Sequence, residues 1–274
     1  MSLDTMVISA FGFVDETSYG GTLLGGRVEP LPGDAFNELR WETFSKRPFE
    51  RYGRLDILSR YAMVAVELLG LPQFNESQSD MALVMGTGQG CLAVDLDFRD
   101  SMDQEGGGSP LLFMYTLHNA CLGEIAIRYN ITGPNLCLMA GQQSGLSAIW
   151  EGLRLIRCGE AESCICLAAD GLGDRVKVHK ETTPADCAES IGSAYCILVE
   201  SARHAAHRGV EPLAKIREFK GGVIDATHEF SCRTQLSKLQ RYLSVNQLNI
   251  DQDSRVELHL NLYHRNDLLY IDCC

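Results

Sequence analysis

Between Gly133 and Ile156 the sequence GPNLCLMAGQQSGLSAIWEGLRLI changes from a strand-length apolar run to an amphipathic helix across one short turn. Asn135–Ala140 is the apolar run, Gly141-Gln-Gln-Ser-Gly145 the turn, and Leu146–Ile156 the helix, with Leu146, Ile149, Trp150 and Leu153 on its inner face. Gly159 follows as the helix C-cap. A buried strand that turns at once into a covering helix belongs to an α/β sheet with protected faces, because a parallel strand needs a crossover helix to return the chain.

The rest of the chain repeats that alternation. Met6–Phe13 reads as a buried strand, Arg54–Leu71 as an amphipathic helix ended by Pro72, and Met81–Met85 as a short strand. The glycine turn Gly86-Thr-Gly-Gln-Gly90 leads into a helix over Leu92–Met102, and Glu105-Gly-Gly-Gly-Ser-Pro110 is a loop. Leu111–Tyr129 reads as one helix, apolar nearly all round, closed by Thr132-Gly-Pro134. Strands are expected at Ser163–Ala169, Ala194–Ser201, Ala214–Phe219 and near Val256–Leu262, a short helical connection at Ala202–Arg208, and a helix at Thr234–Gln247. Residues 15–50, rich in glycine, proline and charge, read as an excursion outside the core. The order predicts a largely parallel sheet.

Charge and cysteine usage narrow the function. The net charge of −12 argues against a nucleic-acid surface, which needs clustered Lys and Arg, although Arg203, His207 and Arg208 form a local basic patch. The 11 cysteines are read as free thiols. Their number is odd, several lie in apolar runs, and MSLDTMVISAFGF lacks the basic start of a secretory leader, so a cytoplasmic location is expected. Metal spacing is absent, and Cys164 and Cys166 are expected to point to opposite faces of their strand. No apolar run is long enough for a membrane span.

The strand–turn–helix elbow is the main functional lead. A side chain at a helix N-terminus sits among unpaired N–H groups and the positive end of the helix dipole, an environment that activates a thiol or holds an oxyanion. The ordinary alternative is a plain strand–helix connection.

Several motifs in order resemble the β-ketoacyl synthases. They are Gly86-Thr-Gly-Gln-Gly90, Ser109-Pro110 opening a long helix, Ile131-Thr-Gly-Pro-Asn135, the elbow, Ile156-Arg-Cys-Gly159, and Gly192-Ser-Ala-Tyr-Cys-Ile-Leu-Val-Glu200 leading to Arg208-Gly209. The resemblance implies an α/β, thiolase-like layered α-β-α-β-α fold, truncated in its second half. Residues 1–213 would form the N-terminal synthase-like half, and residues 214–274 a shortened remnant of the C-terminal half within the same domain. In active members the elbow reads approximately Thr-Ala-Cys-x-Ser-Gly, which puts Gln142 at the nucleophile position. An amide has no nucleophilic form near neutral pH, so no acyl-enzyme is expected. His259 matches the family's first His and Asp267 the Asp that follows it, but Leu260-Asn261-Leu262 departs from the His-Gly-Thr pattern. The Lys and second His motif would fall beyond residue 274.

The resemblance is therefore to the chain length factors, which carry Gln at this position and pair with an active ketosynthase, and specifically to the short ones of aryl polyene pathways. It implies an active β-ketoacyl synthase as partner, an acyl carrier protein bearing a phosphopantetheine-bound acyl chain, and no cofactor. The strand that pairs across the subunit two-fold would be Asn135, Leu136, Cys137, Leu138, Met139 and Ala140. Tunnel-shaping positions would be Ala93, Asp97 and Met114. The alternative is a malonyl-carrier-protein decarboxylase that makes starter units, with Gln142 donating to the enolate.

Overall fold

A computed structural model describes residues 5–32, 39–72, 77–105, 107–141, 144–173, 192–217, 255–262 and 265–273. Its centre is one twisted sheet of ten strands: β1 (Met6–Val14), β2 (Ser18–Gly21), β3 (Val28–Pro30), β4 (Met81–Gly86), β5 (Asn135–Leu138), β6 (Ser163–Gly171), β7 (Gly192–Ser201), β8 (Ala214–Arg217), β9 (Arg255–Leu262) and β10 (Arg265–Cys273). The order is β5-β4-β6-β7-β1-β8-β10-β9, with β2 and β3 attached beside the C-terminal half of β1.

The sheet is mixed rather than largely parallel. β5, β4 and β6 are parallel neighbours, as the intervening helices require. β7 then pairs antiparallel with both β6 and β1, and β8, β10 and β9 continue antiparallel. Burial on both faces does not fix strand direction, so β7 gives the same apolar sequence signature in either sense.

The two faces carry separate cores. The helix Ile57–Leu68 (α2, after the short α1, Trp41–Phe44) packs with Leu83, Met85, Ile165, Leu167 and Ala169. Its N-terminus is capped by the Asp56 carboxylate, which accepts from Ser59 N–H. The helix Ser144–Arg157 covers the opposite face with Ala82, Val84, Cys164 and Cys166. The described residues thus supply a helix–sheet–helix sandwich. Here the expectation for Cys164 and Cys166 is corrected. Residues i and i+2 of a strand share a face, and their sulfurs lie 3.7 Å apart against the Ser144–Arg157 helix.

Three further corrections concern local structure. Residues 15–50 are not wholly outside the core, because Leu39, Trp41 and Phe44 are buried against α2 with Tyr52. The run 111–129 is not one helix. It forms α3's neighbour α4 (Pro110–Phe113) and α5 (Ala120–Tyr129), where α3 is Leu92–Glu105. The break turns His118 over the glycine turn, where its Nδ1 accepts from Cys91 N–H at 3.2 Å. Third, residues 265–273 form a strand that periodicity did not reveal, paired antiparallel with β9. The expected helix at 234–247 lies outside the described residues.

Candidate functional site

The C-terminal ends of β5, β4 and β6 lie side by side, the edge of an open α/β sheet where ligands usually bind. Two turns meet there. The first is the glycine turn between β4 and α3. Thr87 N–H donates to Leu138 O at 3.0 Å, which ties this turn to the end of β5. Gly90 has φ +58°, and a side chain on it would overlap the His118 ring. Glycine is therefore required twice at that position.

The second turn is the elbow. Gly141 has φ +56°, so the strand can reverse within one residue. Ser144 then opens α6 (Ser144–Arg157). Its hydroxyl accepts from Ala140 N–H at 2.8 Å and donates to Gly141 O at 2.7 Å, closing the turn on itself. Gly86 packs against the Ser144 carbonyl with no space for a side chain, so elbow and glycine turn form one unit.

Asp170, near the end of β6, fastens that unit. Its Oδ1 accepts from Thr87 Oγ1 at 2.7 Å, Gly88 N–H at 3.0 Å and Gln89 N–H at 2.9 Å. Beside it is a sulfur-containing cluster. Cys91 Sγ lies 3.0 Å from His118 Nδ1, 3.2 Å from Asp95 Oδ2 and 3.2 Å from Thr116 O. Burial first, and then the Asp95 carboxylate, push the Cys91 thiol up to about 12. It is a hydrogen-bond donor at neutral pH, not a nucleophile. The sequence reading missed Asp170, Cys91, Asp95 and His118. Only Asp170 had a usable signal, an acid closing the otherwise apolar run SCICLAAD at a strand end.

The positions singled out from sequence are distributed as follows. Gln142, with Gln143, lies outside the described residues. Ala93 is buried on α3, and Asp97 is half-buried on the same helix. Met114 is exposed just beyond α4, not buried with Ala93. Residues Asn135 to Leu138 form β5, while Met139 and Ala140 follow the strand's end. β5 is the edge of the sheet and pairs only with β4 among the described residues. His259 sits on β9 opposite Leu268, at the other edge of the sheet, although β9 also touches α6. Asp267 stands opposite Leu260 in the pairing of β9 with β10. The local basic patch is reduced, because Arg208 is bound to the buried Glu200 carboxylate through two hydrogen bonds of 3.1 and 2.8 Å.

Large apolar side chains are exposed on the segment 111–117 and just after β5. Leu111, Phe113, Met114, Leu117 and Met139 are 49, 62, 57, 65 and 51% exposed. Cys137 Sγ on β5 donates to His118 O at 3.5 Å, linking the strand to the residue that follows segment 111–117. No group of His, Cys, Asp and Glu among the described residues could hold a metal ion, and no described helix is long and apolar enough to cross a membrane.

Comparison with known proteins places this architecture. The chain is 28% identical to the 3-oxoacyl-[acyl-carrier-protein] synthase 2 of Rhizobium meliloti (strain 1021) over 116 residues, 40% of the chain but only 28% of that relative. Its fold is similar to solved thiolase-fold ketosynthase structures. One is the ishigamide ketosynthase/chain length factor, with TM-score 0.69 at 14% identity, covering 98% of this chain and 99% of that one. Another is the AntDE:AntF assembly, a type II polyketide synthase acyl-carrier protein with its ketosynthase, with TM-score 0.71 at 14% identity and 99% coverage of both chains. A third is the ketosynthase ApeO in complex with its chain length factor ApeC from Xenorhabdus doucetiae, with TM-score 0.61 at 16% identity, covering 97% and 98%. The family model for the β-ketoacyl synthase N-terminal domain matches residues 36–180, more than half of the chain, and the protein belongs to the β-ketoacyl synthase family.

Proposed function

We propose that this chain is a non-catalytic chain length factor, a subunit that joins an active β-ketoacyl synthase and shapes the tunnel for the growing polyketide or polyene chain. The observations that carry the reading are the exposed large apolar side chains Leu111, Phe113, Met114, Leu117 and Met139, and the position of β5 at the edge of the sheet among the described residues. Four exposed large apolar side chains within seven residues of chain suit a surface that a partner covers, and a strand edge invites pairing. A partner synthase adding a strand to β5 and covering those side chains would remove both. The sequence resemblance supports the loss of catalysis, because it aligns Gln142 with the nucleophile.

Within that reading, an acyl carrier protein would present the acyl chain on phosphopantetheine to the pair. Ala93 and Asp97 would bear on the tunnel from α3. Met114 would bear on it from the subunit interface, since it faces out of the chain. Residues 214–274 would be the remnant of the second synthase half, joined to the first through β8 and β1.

Co-expression with a candidate active β-ketoacyl synthase, followed by native mass spectrometry, tests the proposal. A one-to-one complex is expected, lost on Leu117→Asp or Phe113→Asp while the chain's own circular dichroism is unchanged. A wild-type chain that is a stable monomer and ignores that synthase would sink the reading.

A further inference from the structure

The donors of the glycine turn already have an acceptor. Backbone N–H groups ahead of a long helix form a concavity that binds anions, reinforced by the helix dipole. Ahead of α3, Gly88 N–H and Gln89 N–H both point at Asp170 Oδ1. Gly90 N–H donates to Thr87 Oγ1 at 2.8 Å, and that hydroxyl donates to the same carboxylate oxygen. Three backbone donors and one hydroxyl are thus engaged, directly or through Thr87, by one carboxylate of the protein itself. A Cβ built on Gly88 would stand 3.4 Å from Gly141 O and 3.5 Å from Asp170 Oδ2. The carboxylate and the first residue of the elbow therefore border the same small space.

We infer that Asp170 is a built-in anion: a positioning residue that occupies the donor nest of the glycine turn, holds the turn against the elbow, and bars anionic groups from the space between them. The inference deepens the proposed function and takes its biological meaning from it. An oxyanion or enolate needs uncommitted donors aimed at it. In this space it would find the Gly88 and Gln89 donors already engaged by the Asp170 carboxylate. Such a site opposes malonyl decarboxylation and suits a subunit that only shapes a cavity.

The test is anion binding by the full chain, purified with whatever partner it retains, using malonate as the probe and the amide resonances of Gly88 and Gln89 as the readout. In the wild type, malonate leaves both resonances unmoved. In Asp170→Ala, malonate shifts Gly88, Gln89 and Gly90 in a saturable way, at concentrations at least about tenfold below any that perturb these amides in the wild type, the scale of a charge-assisted hydrogen bond. A folded Asp170→Ala that binds malonate no better than wild type would overturn the inference, as would a wild type that binds it at these amides. Should Asp170→Ala fail to fold, Asp170→Asn keeps an acceptor of the same shape and removes the charge. The Gly88 and Gln89 amide protons then move upfield while the fold is retained, and unmoved resonances refute the proposal. Because the readout sits on the chain itself, it can fail while the partner reading stands, and the reverse.

Discussion

Gly86 ends β4 directly against the backbone of Ser144, so that any Cβ at residue 86 would overlap the Ser144 carbonyl. Strand end and helix start therefore approach as closely as backbone permits. Gly86→Ala cannot be absorbed by a rotamer change, because the obstructing atoms are main chain. It is expected to cost about 3 kcal/mol, at the upper end of ordinary overpacking, measured by urea denaturation. Loss of partner binding should accompany it, since the displaced elbow also moves Met139 and the end of β5.

Glu67 on α2 is the counter-ion of a buried cation. Its carboxylate accepts from Tyr129 Oη and from Ser45 Oγ at 2.6 Å, and it lies 3.6 Å from the Arg128 guanidinium. That guanidinium stacks 4.6 Å from the Trp41 ring centroid and 4.4 Å from that of Phe49. Glu67→Ala leaves Arg128 buried without its partner and should cost about 3–5 kcal/mol in urea denaturation. The double variant Glu67→Met with Arg128→Met should cost less than Glu67→Ala alone, because replacing both charges by apolar groups removes the uncompensated ion.

The legible part of this fold was the part governed by periodicity. α2, α6 and the strands at 6–14, 81–86, 163–171 and 192–201 follow directly from apolar spacing and from glycines at φ > 0, such as Gly159. The misreadings occur where a few polar contacts outweigh periodicity. Leu111–Tyr129 carries enough apolar residues for one helix. It breaks because His118 bonds to Cys91 N–H across the glycine turn, a contact between residues 27 positions apart. Asp170 reads in sequence as an acid at a strand end. Its three donors come from a turn more than 80 residues earlier, so its role depends on strand order that the sequence does not encode locally. β10 alternates charged and apolar residues too irregularly to stand out from the tail.

The buried thiols set the pH response. Burial raises Cys121 and Cys196 well above the usual thiol value of 9.0. Cys164 rises likewise, first through its hydrogen bond with Cys166 and then through burial. Burial pushes Cys137 up to about 11. A group whose folded pKa is raised lends stability that is intact below its unfolded value and disappears as pH rises through the folded one. Above pH 9 the unfolded chain sheds these protons while the fold retains them. Each such thiol then contributes a slope of about −1.4 kcal/mol per pH unit. Denaturant midpoints should be insensitive to pH between 7 and 8.5 on this account, then fall steeply from 9 to 11. Cys121→Ala should flatten that fall by about one thiol's slope.

Gly152 lies in the middle of α6, where alanine would ordinarily stabilise a helix by about 1 kcal/mol. Here the sign should reverse. A Cβ on Gly152 would stand 2.5 Å from Cys166 Sγ and 2.8 Å from Cys164 Sγ, so the helix would have to lift from β6 or the two sulfurs would have to move. Both sulfurs are enclosed between sheet and helix, and neither is the end of a long flexible chain. Gly152→Ala should therefore destabilise by about 1–3 kcal/mol. Removing the obstruction tests the cause. Cys166→Ala alone should leave a small cavity and cost about 1 kcal/mol. Combined with Gly152→Ala it should cost less than the sum of the two, with a favourable coupling of about 1 kcal/mol or more in a double-mutant cycle. Strict additivity would mean that helix and sheet do not meet through these atoms.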